Sequence, residues 1–283
     1  MAYVDPLDAL WNFDDPAGSE QEFREFLKTA EDPSLRAETL TQIARTLGLR
    51  RRFEEVPPLL EEARGLVSER SRPYIRILLE HGRMLNSSGR PKEALPYFLE
   101  AWELGNDLDE DELAVDAAHM VAIAEEPEAQ IEWNEKAMAK ARASEDPRAR
   151  KWMASLSNNL GWTYYEEGEF EKALALFEEA HEQRKARGGN NERIARYCIG
   201  KCLRAMGRLD EALAIQTQVL KDHEAAGTGI GFVEEEIAWC LFLQGHQDQS
   251  SPYFATAYRR LSEADALFDE PDRLARLKEL AGL

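Results

Sequence analysis

A register of small and apolar residues recurs through most of this chain. A small residue stands at Ala44, Gly82, Ala118, Gly161, Gly200 and Ala238, in steps of 38, 36, 43, 39 and 38 residues. Three positions after each comes Leu47, Leu85, Val121, Tyr164, Leu203 or Leu241. Seven after come Arg51, Gly89, Glu125, Gly168, Gly207 and Gly245. Twelve, sixteen and nineteen after, the chain shows Ala, aromatic, Ala in its clearest units: Ala94, Phe98, Ala101 and Ala173, Phe177, Ala180. The unit anchored at Ala118 reaches its alanine and aromatic one residue early, at Ala129 and Trp133.

This pattern specifies paired helices. A small and an apolar residue at i and i+3 mark one face of a first helix. The glycine ends that helix, since it takes positive φ readily just past a C-terminus. A second helix presents Ala, aromatic and Ala at i, i+4 and i+7, so that the helices approach closely and the aromatic fills the space between them. One hairpin cannot hide both faces, so hairpins must stack, each covering its neighbours. Gln216 stands where the aromatic belongs in its unit, and that hairpin is expected to pack less well.

The unit Leu160-Gly161-Trp162-Thr163-Tyr164, followed by Ala173 and Phe177, resembles the tetratricopeptide repeat. The resemblance runs over roughly residues 36–265, with units longer than usual and Ser157 at the family's tryptophan position. It implies an all-α, right-handed α-α superhelix (a solenoid) of about six two-helix repeats with terminal capping helices. The expected organisation is a capping helix within residues 1–35, a solenoid over 36–265 and a second cap over 266–283. Within the caps, helices are expected at residues 19–30, with Ser19 as N-cap, and at 270–281, with Pro271 in the first turn. Turns are expected at Gly188–Asn191 and Gly227–Gly231. No low-complexity linker interrupts the chain, so one continuous array is expected.

Composition narrows the function. The net charge is -19, from 54 acids against 35 bases. So acidic a chain repels phosphate at long range, which disfavours nucleic acid and anionic membranes as partners. No stretch approaches a membrane span, and Met1–Pro6 has neither the basic nor the apolar region of a secretory signal. Three cysteines, Cys198, Cys202 and Cys240, are too few for a disulfide scaffold, and a reduced cytoplasmic protein is expected. Cys198 and Cys202 lie one turn apart, but no second Cys or His pair completes a metal site, and they read as small apolar fillers. The glycine-rich run 227–231 lacks the Gly-Lys-Ser/Thr ending of a phosphate loop. No nucleophile and base constellation emerges, so neither an enzyme nor a cofactor is expected.

A binding role remains. The resemblance implies that first helices line a concave face, whose stripe recurs three before, one after and four after each small residue. One after are Arg45, Arg83, His119, Trp162, Lys201 and Trp239; four after are Gly48, Asn86, Ala122, Tyr165, Arg204 and Phe242. These two sets hold four cations and four aromatics and no acid, in a chain where 54 of 283 residues are acidic. Such a groove suits a protein or peptide carrying acids and apolar anchors. Two before the small residues, however, stand Glu80 and Asp116, which can pair with Arg83 and His119 and cancel the groove's charge. The aromatics can equally be packed residues. By resemblance Asn159, beside Asn158, is the asparagine that would hydrogen-bond a ligand backbone; alternatively it fixes the hairpin. The expected module is therefore a scaffold binding a peptide, whose binding weakens in Arg83→Glu or Lys201→Glu without loss of stability. The alternatives are a peptide sensor whose superhelix changes shape, and self-association into a homo-oligomer through terminal hairpins.

Overall fold

In a computed structural model the described residues form helices joined by short turns, with no strand among them. The structure describes residues 6–185, 188–229, 231–267 and 269–283, leaving aside the side chains at 127 and 128. The sequence expectations for Met1–Asp5 and for Ile230 thus lie outside the described residues. The chain divides into two compact units, Met1–Leu156 and Ser157–Leu283.

The first unit contains α1 (Pro16–Thr29), α2 (Pro33–Leu49), α3 (Val56–Arg64), α4 (Arg72–Ser87), α5 (Pro91–Asp107), α6 (Asp111–Ala124), α7 (Pro127–Ala143) and the short α8 (Pro147–Lys151). The second contains most of α9 (Met153–Glu166), then α10 (Phe170–Lys185), α11 (Gly189–Ala205), α12 (Leu209–Ala226), α13 (Phe232–Leu243), α14 (Gln247–Glu263) and α15 (Pro271–Leu280). The six small residues lie on α2, α4, α6, α9, α11 and α13, the first helices of successive pairs. The longest step, from Ala118 to Gly161, is the one that contains α8.

The register has a direct packing cause. The residue sixteen positions after each glycine anchor presses on it: a Cβ at Gly161 would lie 2.7 Å from Cε1 of Phe177, and one at Gly200 would lie 2.6 Å from Nε2 of Gln216. Gly82 meets Phe98 in the same way. Phe98, Phe177 and Phe254 are fully buried, each removing a ring from water at a gain of ~1.5–3 kcal/mol. The glycines seven after the anchor take positive φ, 82° at Gly89 and 83° at Gly245, and so turn the chain out of the first helix. Arg51 holds the same position with φ 59°, a left-handed conformation that an ordinary side chain resists.

Several details depart from the sequence expectations. Gln216 packs inward where a ring was expected: it is fully buried and donates from Nε2 to the Tyr197 carbonyl at 3.0 Å, while its Oε1 has no partner among the described residues. In α7 the regular register holds after all: Asn134 and Ala137, sixteen and nineteen after Ala118, are buried, while Trp133 stands aside, edge-on to Trp102. Helix α1 starts earlier than expected because Asp15 caps it, accepting from Gly18 N at 2.9 Å, with Pro16 in the first turn. Ser19 lies inside that helix, and its hydroxyl donates to the Asn12 carbonyl instead. The turn expected at Gly188–Asn191 is shorter, since α11 begins at Gly189. The final helix, α15, falls where the leucine spacing puts it.

Candidate functional site

The residues expected to line a groove fall into two sets, Arg45, Arg83, Asn86 and His119 in the first unit and Asn158, Asn159, Trp162, Tyr165, Lys201, Arg204 and Trp239 in the second. They fare differently.

In the first unit the cations are taken by the chain's own acids. Arg83, with its side chain only 12% exposed, is bound by Glu80 from its own helix and by both carboxylate oxygens of Asp116 from α6. Arg45 from α2 approaches Glu80 at 3.7 Å. Burial works against the Arg83 charge, yet Asp116 and Glu80 prevail and raise its pKa further. Burial pushes the Asp116 carboxyl up, but Arg83 overcomes this and holds it below the ordinary range. Arg45 is lowered by burial and by the like charge of Arg83. Asp116 is bonded to Arg83 rather than to His119, whose ring tilts against Trp152 at 5.4 Å. Burial lowers the His119 pKa, so the ring is neutral at pH 7. Arg83 is thus a structural cation, contrary to the expectation that Arg83→Glu would spare stability. Beside this network lies a hollow of about 530 Å³ lined by Arg45, Gly48, Arg51, Glu80, Arg83 and Met84. Arg51 and Met84 were not anticipated as lining residues; Arg51 was read only for its place in the turn register, and nothing in the spacing marks Met84. Asn86 is half-buried near the end of α4.

The stripe is also narrower than expected. Thr41, Leu79 and Val115, three before their anchors, are buried in packing. Gln42, two before, accepts a hydrogen bond from Trp11 Nε1 at 2.9 Å, so the N-terminal segment covers part of α2.

In the second unit Arg204 is spent in the same manner, Nε lying 2.5 Å from an oxygen of the buried Glu236. Burial opposes its charge, but the Glu236 bond raises its pKa. Asn158 Oδ1 faces two internal donors, Arg184 Nη1 at 3.5 Å and Cys198 Sγ at 3.9 Å. Trp239 packs edge-on against Phe242 and Phe254, with the Arg276 guanidinium 5.1 Å above its ring.

Lys201 is different. Its ammonium stands 5.2 Å from the Trp162 ring centre, 5.8 Å from Tyr165 and 6.0 Å from Tyr197. No carboxylate lies within ion-pair distance of it among the described residues. The ring quadrupoles hold the cation in place without neutralising it. Trp162 and Tyr165 are themselves edge-on at 5.3 Å, which fixes the platform. Asn159, one turn before Trp162 on α9, has a half-buried side chain with no hydrogen bond among the described residues.

The three cysteines are buried and free. Burial pushes the thiols up to about 12 at Cys198 and Cys240 and about 11 at Cys202. Among the described residues no group of three His, Cys, Asp or Glu side chains is placed to hold a metal ion, and no helix is long and apolar enough to cross a membrane.

Comparison with known proteins agrees with this architecture. Residues 154–186 match the family described as the tetratricopeptide repeat, a segment that includes Asn159, Trp162 and Tyr165. No curated protein matches the chain. Among solved structures, the apo form of RapI is similar over 98% of this chain and 80% of its own, with a TM-score of 0.73 at 13% identity. NprR in complex with its cognate peptide NprX is similar over 96% and 80%, with a TM-score of 0.56 at 13% identity. A signal-transduction ATPase with a tetratricopeptide-repeat sensor, from Pyrococcus horikoshii, is similar over 94% of this chain but only 42% of its own, with a TM-score of 0.70 at 16% identity. Residues 154–186 thus match a tetratricopeptide repeat, and the chain shares the helical-hairpin fold of these solved structures.

Proposed function

We propose that this protein binds a peptide or an extended segment of a partner protein, and that the second unit carries the anchor. The observation behind this reading is Lys201, a cation seated on three aromatic rings with no carboxylate partner among the described residues. Arg83 and Arg204, by contrast, are already neutralised. A carboxylate on a ligand would find in Lys201 a positioned but uncompensated charge, and Trp162 and Tyr165 beside it offer flat apolar contact. Asn159 supplies a donor and an acceptor for an extended backbone. The preferred ligand is therefore an acidic segment with apolar side chains. The role is binding rather than catalysis, and the setting a reducing cytoplasm in which the three free thiols persist.

The test is capture of partners from lysate by the intact protein, followed by measurement of the identified peptide's affinity. Lys201→Glu should abolish capture while the far-ultraviolet dichroism stays as in the parent and the melting temperature falls only by the few degrees that lost ring contacts cost. Undiminished capture by that variant would remove the anchor from this position.

A second reading is favoured by the likeness to NprR, which is seen with its peptide, and to an ATPase bearing a repeat sensor. In it, the ligand changes the shape of the array. X-ray scattering with and without the identified peptide separates the two: a static scaffold keeps its radius of gyration, whereas a sensor changes it.

A further inference from the structure

A second cavity, of about 590 Å³, lies in the second unit where the beginnings of α11 and α13 meet the end of α12. Its walls are mainly apolar, from Ile194, Tyr197, Phe232 and Val233. Ile194, 40% exposed, brings apolar surface to the opening. A volume in the range ~300–1,000 Å³, apolar walls and a few convergent polar groups are the properties of a small-ligand pocket.

The polar groups are Asn190, Arg193, His223 and Thr228. Arg193 is the informative one. Its Nε is buried without a hydrogen-bond partner, and no carboxylate pairs with the guanidinium among the described residues. The acids around it are committed elsewhere. Glu192 and Asp222 are both held by Arg196, at 2.8 and 2.5 Å, and Glu234 by Arg260 at 2.5 Å. Glu235 is held by Arg273 at 2.7 Å. A guanidinium on an apolar cavity with its own acids spent elsewhere lacks only a planar anion, which it can take bidentately.

Two further features agree. Asn190 lies in the first turn of α11, and Phe232 and Val233 in that of α13; neither helix start is capped by a side chain, so both contribute partial positive charge. His223 Nδ1 meets the Thr228 hydroxyl at 2.8 Å, which fixes the ring at the cavity wall. Burial, and then Arg193, lowers the His223 pKa, so the ring is a neutral hydrogen-bonding group at pH 7.

We infer that this cavity binds a carboxylate carried on an apolar body, with Arg193 receiving the carboxylate and Ile194, Tyr197, Phe232 and Val233 enclosing the apolar part. The inference does not rest on the peptide anchor at Lys201. A free organic acid and the C-terminal carboxylate of a peptide ending in an apolar residue share this chemistry.

The experiment titrates the intact protein calorimetrically with octanoate, 3-phenylpropionate and their neutral amides. A short peptide ending in Leu-Phe, with its terminus free or amidated, forms the other arm. Saturable binding of the acids, weakened about tenfold or more in the amides and in Arg193→Gln, is the expected result. The exposed Arg208→Gln, which removes an equal charge outside the cavity, should bind as the parent does. Amide resonances of Thr228 and Phe232 should move during the titration. Tighter binding of the free acids assigns the site to small molecules; tighter binding of the free-terminus peptide assigns it to a chain end. Equal affinity for acid and amide, unaltered binding in a folded Arg193→Gln, or no saturation by any probe at millimolar concentration would overturn the inference. Ile194→Trp, at an exposed position, checks the location independently: an indole across the opening should block the acids, and unaltered binding again counts against it.

Discussion

Gly161 and Phe177 are in such close contact that a single methyl group between them has no room: a Cβ on the glycine would sit 2.7 Å from the ring's Cε1. Gly161→Ala should therefore destabilise the protein despite alanine's better helix propensity, by about 1–3 kcal/mol as an overpacked core site does. A urea titration monitored by dichroism reads this directly. Gly48, on a first helix with nothing near its missing Cβ, provides the contrast, and Gly48→Ala should be neutral or mildly stabilising.

Arg83→Glu should be severe. It removes the one cation among the described residues that Asp116 is hydrogen-bonded to and adds a third carboxylate to a buried pair. Breaking a buried ion pair from one side costs about 3–5 kcal/mol, a large part of a protein's whole stability. Lys201→Glu, which gives up ring contacts but no ion pair among the described residues, should cost only about 1 kcal/mol. Thermal melts of the two variants side by side test the distinction between a structural and an available cation.

The same network gives the protein an acid limit. Asp116 is held below its ordinary pKa in the folded state, so its ionised form contributes stability above the unfolded value of about 3.9. That contribution is lost as pH falls through the lower, folded value. Stability should hold through neutral pH and fall below about pH 4. Asp116→Asn should start from lower stability and show a shallower acid fall. Melting temperatures between pH 3 and pH 7, at about 0.15 M salt to screen surface charge, decide it.

Arg51→Gly should stabilise. Arg51 occupies the left-handed turn position where four of its counterparts are glycine, and its φ of 59° costs an ordinary residue about 1 kcal/mol or more. Glycine's greater freedom in the unfolded chain offsets part of this, leaving a gain of about 0.5 kcal/mol. A measured loss would mean that the side chain makes a contact stronger than the backbone strain.

The thiols should be silent while the protein is folded. With Cys198 and Cys240 pushed up to about 12 and Cys202 to about 11, almost no thiolate exists at pH 8. Iodoacetamide should label none of the three readily in buffer and all three in urea, as counted by intact mass.

How far the sequence reached follows from which forces act locally. The spacing of Gly161 from Phe177, and of Gly82 from Phe98, is a one-dimensional signature of a three-dimensional contact, so the hairpins were legible. Asn134 was misplaced because a tryptophan next door looked the better core residue, and hydropathy alone cannot tell that the helix turns the amide inward. Ser19 was misplaced because a proline three residues earlier, with an aspartate before it, makes a better helix start. The charge pairing was not legible. Charge counting singled out Lys201 and Arg83 alike, and could not see that Asp116 reaches across from the next first helix to claim Arg83. Nor could it see Arg193, whose significance lies in carboxylates that turn to other partners.

Two hairpins carry an amide where their neighbours carry a ring, and each amide leaves an oxygen, Asn134 Oδ1 and Gln216 Oε1, buried without a partner among the described residues. In an array held by nearest neighbours, cohesion is local, so a seam of this kind sets where the protein breathes. Each unit has one such seam, α6–α7 in the first and α11–α12 in the second. Amide protons there should exchange with solvent sooner than those around Phe98 and Phe254, which makes the protein a chain of tight clasps with one loose link on each side.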